Sequence, residues 1–241
     1  MNAVGRHYYA GLVPAVVTPD ASTGDSYLGR GIYDVAEVAR LLRKTRQRVE
    51  GWTRSGPGAN PLLTGELAGL FSFWDLMSLR VIAVLLDRGV ERDHIRTGAG
   101  YLAGQLGTRR PFAHKSLATM GVGFFAEIEP GDGWENVGQA AQLAFQQVVL
   151  PLLEPIEYDE EDMAAIWRPS AGVWINPAVQ AGEPCVDGTR VPTGLIARLL
   201  TEDEDEEPSD DDMAEVSGDY QISVVQVRAA LEFELTLAST N

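Results

Sequence analysis

IYDVAEVARLLRKTRQRVEGW, residues 32–52, is the stretch that decides how this chain folds. Asp34 followed three residues later by Glu37 is a capping-box pattern, which predicts that a helix begins here. Tyr33 and Val38 occupy the positions of a hydrophobic staple around that cap. The apolar face of the predicted helix follows at spacings of three and four residues, at Val35, Val38, Ala39 and Leu42.

A second short helix is predicted directly after the first. Arg43 and Lys44 fill a short turn, and Thr45 is a residue type that caps helices. Val49 and Trp52, three residues apart, give the second helix one narrow apolar stripe. Two short helices joined by a tight turn predict a helix-turn-helix.

The outer face of the second helix has the residue types that read DNA. At about 100° per residue, burying Val49 and Trp52 turns Gln47 and Glu50 outward. Gln47 could then reach a base edge, with adenine as its usual partner, while arginines reach phosphates. Glu50 must either accept from a cytosine amine or be repelled by phosphate. We therefore predict DNA contacts from Arg43, Lys44, Thr45, Arg46, Gln47, Arg48 and Arg54; the alternative is a helical hairpin within a larger helical core.

The sequence after this helical pair predicts a wing and two further helices. The turn-rich segment 55–69, SGPGANPLLTGELAG, could form a two-stranded wing. Ser72 and Asp75 repeat the capping pattern and open an apolar helix that runs to about Leu86. Gly89 can end that helix in the left-handed conformation, and residues 91–106 are typical of another helix.

In this order, residues 32–106 resemble the MerR-type winged helix-turn-helix. The resemblance rests on YDVAEVARLL, on Trp52, on FSFWDLMSLRVIAVLLDRGV and on HIR at 94–96. It implies a DNA-binding domain.

Composition predicts a globular protein of the cytoplasm. A chain of 241 residues allows one large or two to three small domains, and its 45% apolar residues contain no run of 18. The N-terminus lacks the pattern of a secretory signal. The single cysteine, Cys185, excludes an internal disulfide and a multi-cysteine zinc site, and we expect it to be a buried thiol.

Charge is divided unequally along the chain. The net charge of -16 by itself argues against nucleic acid. However, residues 1–115 contain 15 basic and 10 acidic residues, a balance of +5, whereas residues 116–241 contain 4 and 25, a balance of -21. Such an asymmetry predicts two surfaces with different partners, although a merely solvated basic helix face remains the alternative.

Four segments are expected. Residues 1–30 would be a mobile arm or a docked strand, and residues 31–110 the winged domain. Residues 111–172 would form a small antiparallel sheet with a helix, serving as a connector or a dimerisation platform. Within this segment we predict a strand at 122–128, a helix at 137–150 that Pro151 ends, and two short strands at 156–158 and 163–167. Residues 173–241 would be the fourth segment.

The fourth segment opens with a dense run of turn and strand residues. Gly182 and Gly188 supply turn dihedral angles, and Pro192 ends a short strand so that Thr193 can cap the next helix. Arg190 lies in an apolar context, so we expect it either to pair with a carboxylate or to contact a partner.

This run resembles the signature of the small antitoxin domains in domain-of-unknown-function family 433. The matching residues are Gly182, Pro184, Val186, Gly188, Thr189, Arg190, Val191 and Pro192. Residues 213–220 resemble that family's middle helix and 227–234 its last helix, so the likeness covers about 173–237. It implies a VapB-type antitoxin with a trihelical core that binds and silences a PIN-like ribonuclease toxin. We expect contacts to the toxin from Arg190, Arg198, Arg228 and Glu232.

An acidic run interrupts the likeness. Nine of the eleven residues from Glu202 to Asp212 are acidic, which predicts a mobile segment. It could be a solvated loop, could repel DNA, or could offer a phosphate-like surface to a basic toxin. Beyond it, Ser223 and Gln226 form another capping box for the final helix.

The sequence shows no motif that is typical of an enzyme active site. The histidines at 7, 94 and 114 lack metal-ligand spacing, and the sequence contains no Gly-rich phosphate loop or nucleophile elbow. We predict no catalytic residue, no metal and no cofactor.

Together these features predict an α+β, mainly α fold with an N-terminal winged helix-turn-helix, a small antiparallel sheet with a helix and a C-terminal trihelical antitoxin domain. The predicted function is a type II antitoxin that inhibits a PIN-like ribonuclease and regulates its own operon as a homodimer, with recognition helices about 34 Å apart or a multiple of it. The alternatives are a stand-alone MerR-like transcription regulator with a C-terminal sensing or partner-binding domain, and a structural adaptor.

Overall fold

The computed structural model describes residues 30–65, 69–121, 147, 149–201 and 208–239. Helices predominate in these residues and are accompanied by one small antiparallel sheet, which confirms a mixed α+β fold. The expected arm 1–30 lies outside the described residues except for Arg30, and the expected strand 122–128 lies wholly outside them.

The four predicted N-terminal helices are confirmed. They are α1 (Val35–Leu42), α2 (Arg46–Thr53), α3 (Phe73–Asp87) and α4 (Arg92–Leu106). The Asp34–Glu37 capping box is formed, with both N–H···O distances at 2.8 Å. The Ser72–Asp75 box opens α3 in the same way, and Gly89 adopts φ 80° just after it.

The predicted two-stranded wing is not confirmed by the described residues. Residues 54–65 and 69 contain no strand, and residues 66–68 lie outside the description. Leu62 instead donates its backbone N–H to the carbonyl of Trp52 at 2.7 Å, which holds the loop against α2. Four glycines and prolines between residues 56 and 61 explain the difference, because proline cannot donate to a strand ladder and glycine packs no side chain.

Pro151 does not end a helix as predicted. After a 3₁₀ turn at Pro111–Ala113 and helical residues 117–121, the chain forms a short helix at Leu150–Leu153 with Pro151 in its first turn. Residues 147 and 149, just before it, are π-helical, so Pro151 lies within a helical segment rather than at its end. Most of the helix expected at 137–150 falls outside the described residues.

The sheet has the strand order β1 (Ile156–Tyr158), β2 (Ala164–Ser170), β3 (Val173–Ile175) and β4 (Cys185–Val186). All neighbouring strands are antiparallel. The two strands predicted around residues 159–162 are therefore confirmed as β1 and β2. The sheet continues into β3 and β4, so its hydrogen bonds cross the boundary expected between residues 172 and 173.

Three helices follow the sheet: α5 (Thr193–Leu200), α6 (Asp210–Tyr220) and α7 (Val224–Ala238). Their apolar faces form a second core, which includes Ile196, Val216, Val227 and Leu231. Thr193 does not cap α5 as predicted, since Pro192 occupies the cap position. The Thr193 hydroxyl is instead fully buried and donates to Glu234 Oε1 at 2.5 Å.

The end of the acidic run is helical rather than mobile. Ser209 caps α6 through a box with Asp212, so the helix begins three residues before the expected 213. Asp210, Asp211 and Asp212 fill its first turn, where negative charge is favoured by the helix dipole. Hydrogen bonds from Ser209 lower the pKa of Asp212. Residues 202–207 lie outside the described residues.

The main core joins the N-terminal helices to the sheet and to α7. Trp74 donates its indole N–H to the Ala164 carbonyl at 2.9 Å, and the buried guanidinium of Arg80 lies 4.1 Å from the centroid of the Trp167 ring. Burial lowers the pKa of Arg80 to about 10. Phe233 and Leu237 of α7 belong to the same core as α1 and α3. The core thus continues across the boundary expected after residue 110.

Candidate functional site

The helical pair α1–α2 is packed so that one face of α2 is buried and the other meets solvent. Val49 and Trp52 are buried, as predicted, and Arg43 adopts the left-handed conformation (φ 52°) that ends α1. Thr45 caps α2, accepting from the N–H of Arg48 at 3.4 Å. The predicted DNA-binding residues share this turn and helix and form what we call the basic surface, namely Arg43, Lys44, Thr45, Arg46, Gln47, Arg48 and Arg54.

All four arginines of the basic surface, including Arg43, are exposed. The side chains of Arg46, Arg48 and Arg54 are 69%, 48% and 75% exposed. Gln47 is also exposed, as predicted. No described acidic segment covers these side chains, so they could reach a polyanion without rearrangement of the fold.

Two carboxylates hold the cations of the basic surface in place. Asp87, at the end of α3, accepts from Lys44 at 2.5 Å and from Arg48 at 2.8 Å. Burial by itself would raise the pKa of Asp87. The hydrogen bonds and positive charges of Lys44 and Arg48 lower it by more, so the pKa lies below its usual value. No local pattern in the sequence pointed to Asp87, since it lies about 40 residues from both partners.

Glu50 lies between two arginines rather than facing a ligand alone. Its carboxylate accepts from Arg46 Nε at 2.9 Å and lies 3.7 Å from Arg54. The two roles considered for Glu50, a cytosine acceptor or a repelled charge, both assumed a free carboxylate. In the structure this carboxylate orients Arg46 and Arg54 and lowers the net positive charge of α2.

A groove of about 830 Å³ lies beside the exposed face of α2. Gln47, Gly51 and Arg54 line one side, and Arg92 and Arg96 of α4 line the other. Arg92 donates to the Gly51 carbonyl at 2.6 Å and Arg96 to the Asn60 carbonyl at 2.9 Å. These two arginines were absent from the predicted site; their spacing of four residues on one helix face was the available signal. Acidic groups, Glu91 and Asp93, line the groove as well.

The residues expected to contact a toxin do not form one cluster. Arg190 precedes α5 and Arg198 lies in its last turn, so the helix separates them. Arg228 and Glu232 lie one turn apart on the exposed face of α7. The side chain of Arg190 is exposed, and the salt bridge expected for it is not formed with any described carboxylate.

Cys185 is a structural residue, as predicted. It is buried in β4, and burial together with the charge of Glu183 raises the pKa of its thiol to about 11. A thiol with so high a pKa is a poor nucleophile at neutral pH. Among the described residues no cluster of His, Cys, Asp or Glu could hold a metal ion.

Residues 173–233 match the model of the family described as "Protein of unknown function (DUF433)". This match covers about a quarter of the chain and includes β3, β4 and the helices α5 to α7 up to Phe233. The resemblance inferred from the signature around Arg190 is therefore confirmed for this part.

Two proteins of Mycobacterium tuberculosis are similar over most of the chain. The uncharacterized protein Rv2308 (strain ATCC 25618 / H37Rv) is 25% identical over 230 residues, covering 86% of this chain and 92% of that protein. The crystal structure of Rv2018 superposes with a TM-score of 0.66 at 22% identity, covering 83% of this chain and 96% of that one. The second likeness establishes a shared fold. In the described part of the chain, no helix has the length and apolar character needed to cross a membrane.

Proposed function

We propose that this protein is the antitoxin of a type II toxin–antitoxin pair, which binds its operator through the basic surface and its toxin through the DUF433-like part. The observation that carries the proposal is an exposed row of arginines on one short helix of a protein whose net charge is -16. In a protein that is acidic overall, such a row of arginines is best explained by a polyanion that binds there.

In the proposed DNA complex, α2 enters the major groove as the recognition helix. Gln47 faces a base edge, and Arg46 and Arg48 contact phosphates on either side. Asp87 and Glu50 hold these guanidinium groups before DNA arrives, which reduces the side-chain entropy lost on binding. The same carboxylates weaken attraction to duplexes in general.

The proposal for toxin binding is supported by the charge and likeness of the C-terminal part. Residues 116–241 have a balance of -21, which suits a partner that itself binds RNA. The DUF433 match includes α5, where the exposed Arg198 makes no ion pair among the described residues. Inhibition would be occlusion of a PIN-like ribonuclease site, with no chemistry by this chain.

The test of DNA binding is the salt dependence of operator affinity. Changing Arg46 and Arg48 together to Ala should flatten the slope of log affinity against log salt by about two phosphate contacts. The matched control is Arg109→Ala with Lys115→Ala, which removes the same charge outside the basic surface and should leave the slope nearly unchanged. Equal slopes for all three proteins would refute this site.

The test of toxin binding is co-expression of the full chain with the product of the neighbouring gene. Growth should be rescued and the two proteins should co-purify. Arg190→Glu with Arg198→Glu should reduce both effects, whereas the Arg46 and Arg48 double variant should retain both. If neither the parent chain nor the Arg46 and Arg48 double variant rescues growth, the protein is not an antitoxin.

A further inference from the structure

The last helix, α7, buries one face and exposes two large apolar side chains on the opposite face. Val227, Ala230 and Leu231 pack into the second core, and Phe233 and Leu237 into the main core. On the other side, Val225 is 78% exposed and Leu235 is 54% exposed. Among the described residues these are the two most exposed large apolar side chains, and both lie on this helix.

Four residues form a narrow stripe along this exposed face. Val225, Arg228, Glu232 and Leu235 follow one another at spacings of three, four and three residues. At about 100° per residue they fall within an arc of about 80°. This spacing is that of the seam between two packed helices. We call this set the outer stripe; it reads apolar, basic, acidic, apolar.

The order of the outer stripe is complementary to itself. Suppose that a second α7 packs antiparallel, with the two-fold axis crossing the outer stripe at the level of residue 230. Val225 then lies opposite the partner's Leu235, and Arg228 lies opposite the partner's Glu232. Two-fold symmetry makes each contact twice. A parallel pair would instead oppose Arg228 to the partner's Arg228 and Glu232 to the partner's Glu232, which is repulsive. Charge therefore favours the antiparallel arrangement.

We propose that the outer stripe of α7 is a self-association surface, on which a second copy of this chain docks antiparallel. This assigns Arg228 and Glu232 to the second copy rather than to a toxin. It concerns the free chain alone, so it stands or falls independently of the proposed binding to DNA and toxin.

The existing contacts of the outer stripe allow this role. Arg228 lies 3.2 Å from Asp210, but both side chains are at least half exposed, and such a pair contributes little to stability. A guanidinium group has five N–H donors and can serve two carboxylates. The Glu232 carboxylate makes no ion pair among the described residues. Val224, in the first turn of the same helix, is 36% exposed and adds apolar surface at that end of α7.

The test is sedimentation velocity of the full chain over a range of concentrations, without DNA or toxin. Arg228→Glu and Glu232→Arg each create two like-charge contacts across the axis, so each should raise the dimer dissociation constant at least tenfold. The double variant Arg228→Glu/Glu232→Arg reverses both charges of the stripe and should return the constant to within about threefold of the parent.

Two control variants separate this surface from general charge effects. Glu215→Arg on α6 changes the net charge by the same amount as Glu232→Arg and should not weaken association. Asp210→Asn removes the existing partner of Arg228 and should leave association unchanged or strengthen it. A monomeric parent at all concentrations, single variants that dimerise like the parent, or a double variant without rescue would each overturn the proposal.

Discussion

Asp87 pairs with two cations of the basic surface and partly neutralises their charge. It accepts from Lys44 and Arg48 at once, and Arg48 also lies 5.8 Å from the centroid of the Trp52 ring. Arg48 is thereby held between a carboxylate and an aromatic face. The position of the predicted phosphate contact thus depends on a residue in another helix.

Asp87→Asn should strengthen binding to DNA of any sequence. The substitution removes one negative charge and frees Lys44 and Arg48, so the slope of log affinity against log salt should steepen by about one phosphate contact. Asp219→Asn, an exposed acid of α6, makes the same change in net charge and is the control. An identical slope for the two variants would show that Asp87 does not restrain these cations.

The same carboxylate makes stability depend on pH. Because the pKa of Asp87 is lowered in the folded state, its contribution is present above the unfolded pKa and is lost as pH falls through the folded value. In each ion pair of Asp87, at least one side chain is about a third exposed or more. At pH 7 we therefore expect Asp87→Asn to lower the free energy of unfolding by at most about 1 kcal/mol. Urea denaturation should show this difference shrinking below about pH 4, near the usual Asp pKa. A difference that grows on acidification would contradict the assignment.

The contact between α1 and the C-terminal elements joins the proposed DNA-binding and DUF433-like parts. Arg40 of α1 donates to Glu234 of α7 at 2.7 Å, and Glu234 also accepts from the buried Thr193. The Tyr33 hydroxyl donates to the Gly182 carbonyl at 2.9 Å, where a Cβ on residue 182 would lie 2.1 Å from that hydroxyl. Glycine at 182 is therefore required both by its φ of 89° and by the approach of Tyr33.

A double-mutant cycle of Arg40→Met and Glu234→Gln should give a coupling energy of about 1 to 2 kcal/mol in urea denaturation, because the pair is charge-assisted and largely withdrawn from solvent on the Glu234 side. The exposed Arg46–Glu50 pair provides the control cycle, with an expected coupling below about 0.5 kcal/mol. Equal coupling energies in the two cycles would mean that the Arg40–Glu234 pair does not stabilise the contact between α1 and α7.

At the scale of the whole molecule, the two proposed binding parts rest on a shared core. Trp74 and Arg80 of α3 contact the sheet, and Phe233 and Leu237 of α7 reach the core that α1 also fills. Cutting the chain near Pro111 would expose the sheet face and leave the buried Trp167 without Arg80. The separate binding roles proposed for the two parts therefore have to be tested by substitutions in the full chain.

We expect the full chain to unfold in one cooperative transition, because α7 contributes to both the main core and the second core and so couples the parts. Tryptophan fluorescence and far-UV circular dichroism should give the same urea midpoint. Residues 111–241 alone should lack such a transition. Two separate transitions in the full chain, or cooperative folding of that fragment, would show that the parts are independent domains.

Local sequence patterns by themselves determined where α1, α3 and α7 begin. Asp34 with Glu37, Ser72 with Asp75 and Ser223 with Gln226 each form the predicted capping box, because both partners lie within one turn of helix. The run of residues around Gly182 and Gly188 likewise predicted the DUF433-like part, since its turns need glycine at fixed positions. The exposed face of α2 followed from helical spacing around Val49 and Trp52.

Only the tertiary structure decided what the charged and polar side chains do. Asp87 meets Lys44 and Arg48 across about 40 residues, and Glu234 meets Arg40 across 194. Thr193 became a buried donor instead of a helix cap for the same reason. Capping depends on neighbours fixed by the chain itself, whereas ion pairs between distant segments depend on how the helices and sheet pack, which periodicity does not encode.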